Sequence, residues 1–527
     1  MNLKLVSYNL GIVSLLLACA MVFSLAWAMP WLGGVWAYES RGVVGLLLSI
    51  FISLVVSALF FNLGKNGKGE PLFRKEALAT VGLAWILAAI LGSLPYLLSE
   101  ITREAGVRMT VVDALYESVS GFTTTGATVL SELEDPAVMP RCILFWRSST
   151  HFVGGLGIIV LLVAILDTGM TGKSLVTMEM TGPKSGQPFS RMQMIVRRTV
   201  TVYLLLNLLL ILLLLLAGMS VYDALCHSFG TVATGGMGTY NNSIVHFQHC
   251  PNVNAPMIEW CMATFMFLSG MNLLGLFFTM TGTFRQLLRN TEWRLYVGIV
   301  VVAVLFITFH LYDTLGGMEK TVRTAFFQTA SIITTTGYAS NDYALWPPLA
   351  QAMLVVLMFT TACAGSTAGG PKIVRFILLA KTLRIETERV YRPTIIRPLI
   401  FNGEQSTDGV LSRNVLIYFA MMSVTLLFAW ATMMIIEPDT LWSKHPENIE
   451  NLSPQNTLFV ERKMCDIFTT VLSHCSNVGP ALGSFGPMNN YAHLTEFSKA
   501  LLTCVMLLGR LDFFAVLLLF VPAFWRK

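Results

Sequence analysis

Four short stretches of this chain place the same residue types at the same spacing. Laid over one another without gaps, residues 114–127 (ALYESVSGFTTTGA), 224–237 (ALCHSFGTVATGGM), 325–338 (AFFQTASIITTTGY) and 467–480 (IFTTVLSHCSNVGP) align over fourteen positions. The thirteenth is glycine in every copy: Gly126, Gly236, Gly337 and Gly479. The two places before it hold Thr124 and Thr125, Thr234 and Gly235, Thr335 and Thr336, and Asn477 and Val478. Such a segment can turn its backbone carbonyls toward a common axis, and rings of carbonyls can replace the hydration shell of a cation. Glycine supplies backbone angles that other residues resist and leaves no side chain in the path. The hydroxyls of Thr123, Thr124, Thr125, Thr334, Thr335 and Thr336 can coordinate or brace the loops. A lone Thr-Thr-Gly reads as a helix-capping turn, whereas four copies in register do not.

These loops need elements to hold them, and composition says which kind. Hydrophobic residues make up 54% of the 527 and charged residues 12%, about half the usual charged share of a soluble domain. That places the chain in a membrane and makes the lipid bilayer its first partner. A net charge of +5 is too small at this length to signal nucleic acid, and none is expected. The nine cysteines are scattered without paired spacing, which points to neither a disulfide framework nor a zinc site. Taking about twenty apolar residues per crossing, ten spans are expected near 8–29, 43–63, 77–99, 140–166, 199–219, 257–281, 295–313, 350–380, 412–436 and 498–524. The first follows Lys4 and reads as a retained helix rather than a signal peptide. Between spans lie shorter stretches at 111–122, 221–232, 322–333 and 464–475, each ending in the motif above. They read as re-entrant half-helices followed by loops, since bare backbone at membrane depth survives only inside protein or along a watery cavity.

Span, short helix, loop, span crosses the membrane twice, so successive units face the same way and four can ring one axis. The expected fold is therefore an all-α multi-pass membrane protein, with four such repeats around a pseudo-fourfold pore plus two extra N-terminal helices. The divisions are 1–70 for the helix pair and 71–170, 171–285, 286–400 and 401–527 for the repeats. Most of the 35 lysines and arginines fall on one side of this alternation, which sets both termini inside and the short helices dipping in from outside. Each short helix then aims its partially negative end at the membrane interior. Asp113, Asp223 and Asp466 stand at or before three helix starts, where a carboxylate suits the positive end.

With SGFTTTGAT (120–128), ATGGM (233–237), TTTGY (334–338), SNVGPALG (476–483), GGLGIIV (154–160) and GMN (270–272) in view, the chain resembles the Trk/Ktr/HKT superfamily of cation transporters, specifically its bacterial TrkH-type subunits. The likeness runs from about residue 40 to the end. It implies potassium as the transported ion with no organic cofactor in this chain, a homodimer, a cytosolic TrkA-type nucleotide-binding ring as partner, and residence in the bacterial inner membrane. By motif match the ion-lining residues are Thr124, Thr125, Gly126, Thr234, Gly235, Gly236, Thr335, Thr336, Gly337, Asn477, Val478 and Gly479. Gly126, where sodium-permeable members carry serine, favours potassium. Met237 stands where the family usually has phenylalanine.

Two further features bear on flow. Residues 361–372 read TACAGSTAGGPK, and three glycines and a proline cannot hold a regular helix well. Gly365, Ser366, Thr367, Gly369 and Gly370 thus form an irregular loop within an apolar run, and it resembles the family's intramembrane gate. It is no phosphate loop, because Pro371 precedes Lys372 and neither Ser nor Thr follows. Arg510 lies inside the last expected span, where a charge is costly unless it meets water or a partner. Asp512 is two residues away and does not share its helix face. The family places an arginine here, projecting into the pore below the filter. Glu117 and His474 fall in short helices as braces, and Tyr338 packs behind the filter. His246, His249 and Cys250 cluster in an outer loop without the spacing of a metal site. The eight histidines are dispersed, which speaks against an enzyme. The rival reading is a sodium- or proton-coupled carrier, which would want buried carboxylates at mid-membrane. Nucleotide control would need a separate subunit, docking on the basic stretches 167–198 and 372–413.

Overall fold

The computed structural model describes the chain apart from residues 30–38, 66–72, 105, 158–188, 281, 283, 393–398, 402–403, 407–409, 440–441, 443–454, 512 and 526–527. Two long apolar helices, α1 (Leu3–Leu25) and α2 (Ser40–Leu63), come first and pack together. Small residues let them approach closely: Ser57 donates to the Gly11 carbonyl at 2.8 Å.

Four helical units follow. The first holds α3 (Arg74–Leu98), α4 (Val111–Phe122) and α5 (Arg141–Leu156). The second holds α6 (Phe189–Leu216), α7 (Val221–Val232), α8 (Ala255–Ser269) and α9 (Leu273–Met280). The third holds α10 (Thr291–Leu315), α11 (Met318–Ile333), α12 (Pro348–Phe359) and α13 (Ile373–Tyr391). The fourth holds α14 (Val410–Ile436), α15 (Gln455–Cys475) and α16 (Glu496–Arg510). Two small β-ribbons, Thr102–Glu104 with Val107–Arg108 and Leu399–Phe401 with Glu404–Ser406, are the exception to an otherwise helical fold.

Among the described residues, six of the ten expected spans are single helices long and apolar enough to cross a bilayer, and a seventh is a pair bent by 105°, while the end of the 140–166 span lies outside them. The difference lies in the last helix of each unit. α5 ends at Gly157, α8 breaks from α9 at residues 270–272, residues 360–372 separate α12 from α13, and α16 ends at Arg510. Apolarity alone predicts a continuous helix through all four places. Only the third has enough glycine and proline to announce its break.

The inner helices α4, α7, α11 and α15 stop where the sequence says. Two start earlier than expected: α11 at Met318 and α15 at Gln455. Asp466 consequently lies within α15 rather than at its start, and it accepts hydrogen bonds from Trp442 Nε1 and the Ser484 amide, both at 3.1 Å. Asp113 does cap α4, in a reciprocal box with Thr110, and Asp223 takes the same position after Ser220.

The final helix of each unit leans on the inner helix of the next: α5 on α7, α8 on α11, α12 on α15, and α16 back on α4. That order closes a ring. Each joint carries a polar seal. Tyr222 Oη donates to the Arg141 carbonyl at 2.8 Å. Arg323 pairs with Glu259 at 2.7 Å. Tyr343 Oη donates to the Ala481 carbonyl at 3.2 Å. Lys499 pairs with Asp113 at 2.5 Å, both side chains buried.

Candidate ion pathway

All four inner helices end in the same turn. Thr124, Thr234, Thr335 and Asn477 have φ of 53°, 56°, 58° and 55°. The next amide reaches five residues back: Thr125 to Ser120 at 2.9 Å, Gly235 to Gly230, Thr336 to Ser331 and Val478 to Ser473 at 2.8 Å. This is the Schellman closure, which normally has glycine at the left-handed place. A β-branched residue there costs about 1–2 kcal/mol. The cost is offset by what their side chains touch.

Two residues on, Gly126, Gly236, Gly337 and Gly479 also have positive φ, from 74° to 99°. A Cβ on Gly126 would strike the Gly235 carbonyl oxygen; on Gly236, that of Thr336; on Gly337, that of Val478; on Gly479, that of Thr125. Each of the four glycines thus seats against the carbonyl of the residue that precedes the next unit's glycine, and the last returns to the first. Above them an open recess of about 90 Å³ is lined by Gly126, Gly236, Gly337, Pro480 and Tyr491.

Side chains brace this ring from behind. Thr123 and Thr125 share a hydroxyl bond at 2.7 Å, as do Thr334 and Thr336. Asn477 Nδ2 donates to Thr125 Oγ1 at 2.9 Å. Glu117 pairs with Arg147 at 2.6 Å and accepts from the Thr128 hydroxyl at 3.1 Å, while Arg147 donates to the Gly238 carbonyl at 3.0 Å. His474 meets Tyr116 Oη at 2.6 Å. In the loop between α7 and α8, His246 stacks on Tyr240 at 3.5 Å, and His249 bonds the Val245 carbonyl.

Beneath the ring, the left-handed residues of all four units meet one layer. Arg510 Nη1 donates to Thr124 Oγ1 at 3.0 Å and to the Thr367 carbonyl at 2.9 Å, and its Nη2 donates to the Gly154 carbonyl at 3.0 Å. Thr234 Oγ1 donates to Thr367 Oγ1 at 3.3 Å. The Gly369 amide donates to Thr335 Oγ1 at 2.9 Å, and a Cβ on Gly369 would press on Asn477. Gly370 abuts the Ser476 carbonyl. Gly365 and Ser366 do not join this layer: the Gly365 carbonyl accepts from the Leu273 amide at 3.0 Å, and Ser366 donates to the Cys363 carbonyl at 2.6 Å. Lys372 folds back onto the Ala368 and Gly369 carbonyls. Asp512 lies outside the described residues.

Sequence reasoning missed what anchors the loop. Asn272 Nδ2 donates to the Ala364 carbonyl at 2.8 Å, and Glu292 accepts the Ala364 amide at 2.7 Å. The GMN triplet signalled the first as part of a motif but gave no role. Nothing around Glu292, in a first helical turn where carboxylates are common, signalled the second.

The family model for TrkH, described as a cation transport protein, matches residues 47–527. The chain belongs to the TrkH family. The Trk system potassium uptake protein TrkH of Salmonella typhimurium is 31% identical over 488 residues, 91% of this chain and 92% of that one. The protein of the same name from Halomonas elongata is 30% identical over 544 residues and the whole of both chains. The crystal structure of the potassium transporter TrkH from Vibrio parahaemolyticus superposes with a TM-score of 0.79 at 27% identity, covering all of both chains. A TrkH-family chain is a membrane transporter and not an enzyme.

Proposed function

We propose that this chain takes up potassium through the ring formed by residues 124–126, 234–236, 335–337 and 477–479. The observation that carries the reading is the cyclic seating of each filter glycine against a carbonyl of the next unit. A carbonyl ring held by buried backbone bonds can replace water around one cation size better than another. The relatives' names specify potassium, and Gly126 rather than serine in the first unit agrees. Both termini are inside by the basic-residue bias, so the recess at Gly126 opens outward. A membrane potential negative inside favours uptake by about 2.3 kcal/mol per charge per 100 mV. The 361–372 loop and Arg510 form the gate below the filter. A homodimer in the bacterial inner membrane, regulated by a cytosolic TrkA-type nucleotide-binding ring, completes the proposal. The partner's dock includes the exposed end of α13, where Arg389 and Arg392 pair with Glu386 and Glu388. The other suggested stretch, 167–198, falls mostly outside the described residues. Reversing the charges of Arg389 and Arg392 is expected to abolish partner binding in a pull-down; intact binding removes α13 from the dock.

The deciding experiment is flux into proteoliposomes holding this chain, comparing potassium, rubidium, sodium and lithium, with Gly126→Ser in parallel. Serine at φ 81° is strained, and its Cβ collides with the Gly235 carbonyl. Potassium and rubidium are expected to pass, sodium to lag, and the variant to lose that preference. Equal sodium flux in the unaltered chain, or a variant with unchanged preference, overturns the filter assignment.

A further inference from the structure

In three of the four units, the residue after the filter glycine is fastened by a hydroxyl from its own inner helix. Ser120 Oγ donates to the Ala127 carbonyl at 2.6 Å, Ser331 Oγ to the Tyr338 carbonyl at 2.6 Å, and Ser473 Oγ to the Pro480 carbonyl at 2.9 Å. The second unit has Gly230 at that place and no hydroxyl to offer. Its carbonyl, on Met237, is nevertheless satisfied. Tyr338 Oη, reaching across from the third unit, donates to it at 3.1 Å.

The substitution is spatial as well as chemical. A Cβ built on Gly230 would collide with Tyr338 Oη and would lie 3.3 Å from the Met237 oxygen. The tyrosine hydroxyl therefore stands where a serine side chain of the second unit would be. Its ring is fully buried and stacks on His227 with centroids 5.8 Å apart. The Met237 amide is held separately, donating to His151 Nε2 at 3.3 Å. Tyr338 is itself the residue after the third filter glycine. Its backbone is pinned within its own unit while its side chain pins the neighbour.

We infer that Tyr338 is a positioning residue for the second unit's quarter of the filter, replacing in trans the serine hydroxyl that Gly230 lacks. The inference rests on the filter reading above. A carbonyl ring selects by spacing only while its carbonyls stay put. Without the phenol, the Met237 carbonyl is buried and unpaired, which favours rotation of the 237–238 peptide and loosening of the strand that carries Gly235 and Gly236. Removing Gly230 from its accommodating role has the opposite fault, since a serine there and the phenol cannot share one space.

The test measures potassium and sodium uptake into proteoliposomes for five chains: unaltered, Tyr338→Phe, Tyr338→Leu, Tyr338→Leu with Gly230→Ser, and Gly236→Ser. Loss of the hydroxyl alone is expected to lower the potassium-to-sodium ratio about fivefold, the worth of one buried hydrogen bond. Potassium flux itself should fall less. Restoring a hydroxyl in cis, with Gly230→Ser on the leucine background, is expected to return most of the ratio. An unchanged ratio in Tyr338→Phe overturns the inference. So does a double variant no better than Tyr338→Leu alone. Should Tyr338→Phe fail to reach the membrane, the double variant decides: folding with restored preference supports the role, and folding without it refutes it. Gly236→Ser separates the two levels, because preference that survives this change removes the filter reading itself, whatever the tyrosine does.

Discussion

Arg510 spreads one guanidinium over three acceptors contributed by three separate segments: the Thr124 hydroxyl, the Thr367 carbonyl and the Gly154 carbonyl. A planar fork can do this, and a lysine's compact ammonium cannot. On the proposed filter reading, its charge below the ring opposes a cation leaving, and its bond to Thr367 ties the loop to α16. Arg510→Ala is therefore expected to raise rubidium uptake about tenfold, the effect of losing roughly one charge-assisted hydrogen bond at the barrier. Arg510→Lys should fall between. Uptake equal to that of the unaltered chain would separate this residue from gating. Its importance was legible in the sequence because a charge within an apolar run stands out. The partnership of Gly230 and Tyr338 was not, since a missing hydroxyl leaves no mark until its replacement is seen in space. Tyr338 was expected to pack behind the loops, and it is buried there with a bond the sequence did not announce, from its hydroxyl to the Met237 carbonyl. Thr125 and Thr336 were read as coordinating or bracing, and their hydroxyls bond those of Thr123 and Thr334.

The loop between α12 and α13 is held by its own bonds, Thr361 to the Gly369 and Pro371 carbonyls among them, and by other elements. Its Ala364 amide goes to Glu292 at the start of α10, its Ala364 carbonyl to Asn272, and its Cys363 amide to the Gly270 carbonyl at 3.0 Å. Cys363 is 2% exposed in this arrangement. Glu292→Ala leaves the Ala364 amide unpaired and should free the loop. The expected outcome is maleimide labelling of Cys363, read by mass spectrometry, together with higher flux in the absence of any partner. Labelling that stays at the level of the unaltered chain would show that Glu292 does not hold the loop. The ends of the inner helices were readable because hydroxyl and glycine residues punctuate them. The starts of α11 and α15 were not, since Glu319 and Lys320 in the first, and Glu461, Arg462 and Lys463 in the second, look like loop residues to an apolarity criterion. In the fold Arg323 is satisfied by Glu259 and Glu319. The breaks at the ends of α8 and α16 were likewise hidden, because tertiary partners at Asn272 and Arg510, not local propensity, end those helices.

At the scale of the molecule, the four units form a circle in which the fourth must find the first. Lys499 and Asp113 make that junction, 386 residues apart and with side chains 1% and 0% exposed. Breaking a buried pair by removing one partner costs about 3–5 kcal/mol. Here Arg103, 3.8 Å from Asp113, recovers part of it. Lys499→Met is expected to lower the thermal midpoint of the detergent-purified protein clearly, and Lys499→Met with Asp113→Asn to restore much of the loss. Equal midpoints for the single variant and the unaltered chain would show that the junction does not depend on the pair. The ring also orders events during synthesis. Thr125 leaves the ribosome long before Asn477, 352 residues later, arrives to grip its hydroxyl. Three quarters of the circle are then already in the membrane with no closed carbonyl ring. On the proposed filter reading, a chain stalled or cleaved before its last unit holds no finished selective hole, and the order of translation itself guards against a leak while the chain is being made.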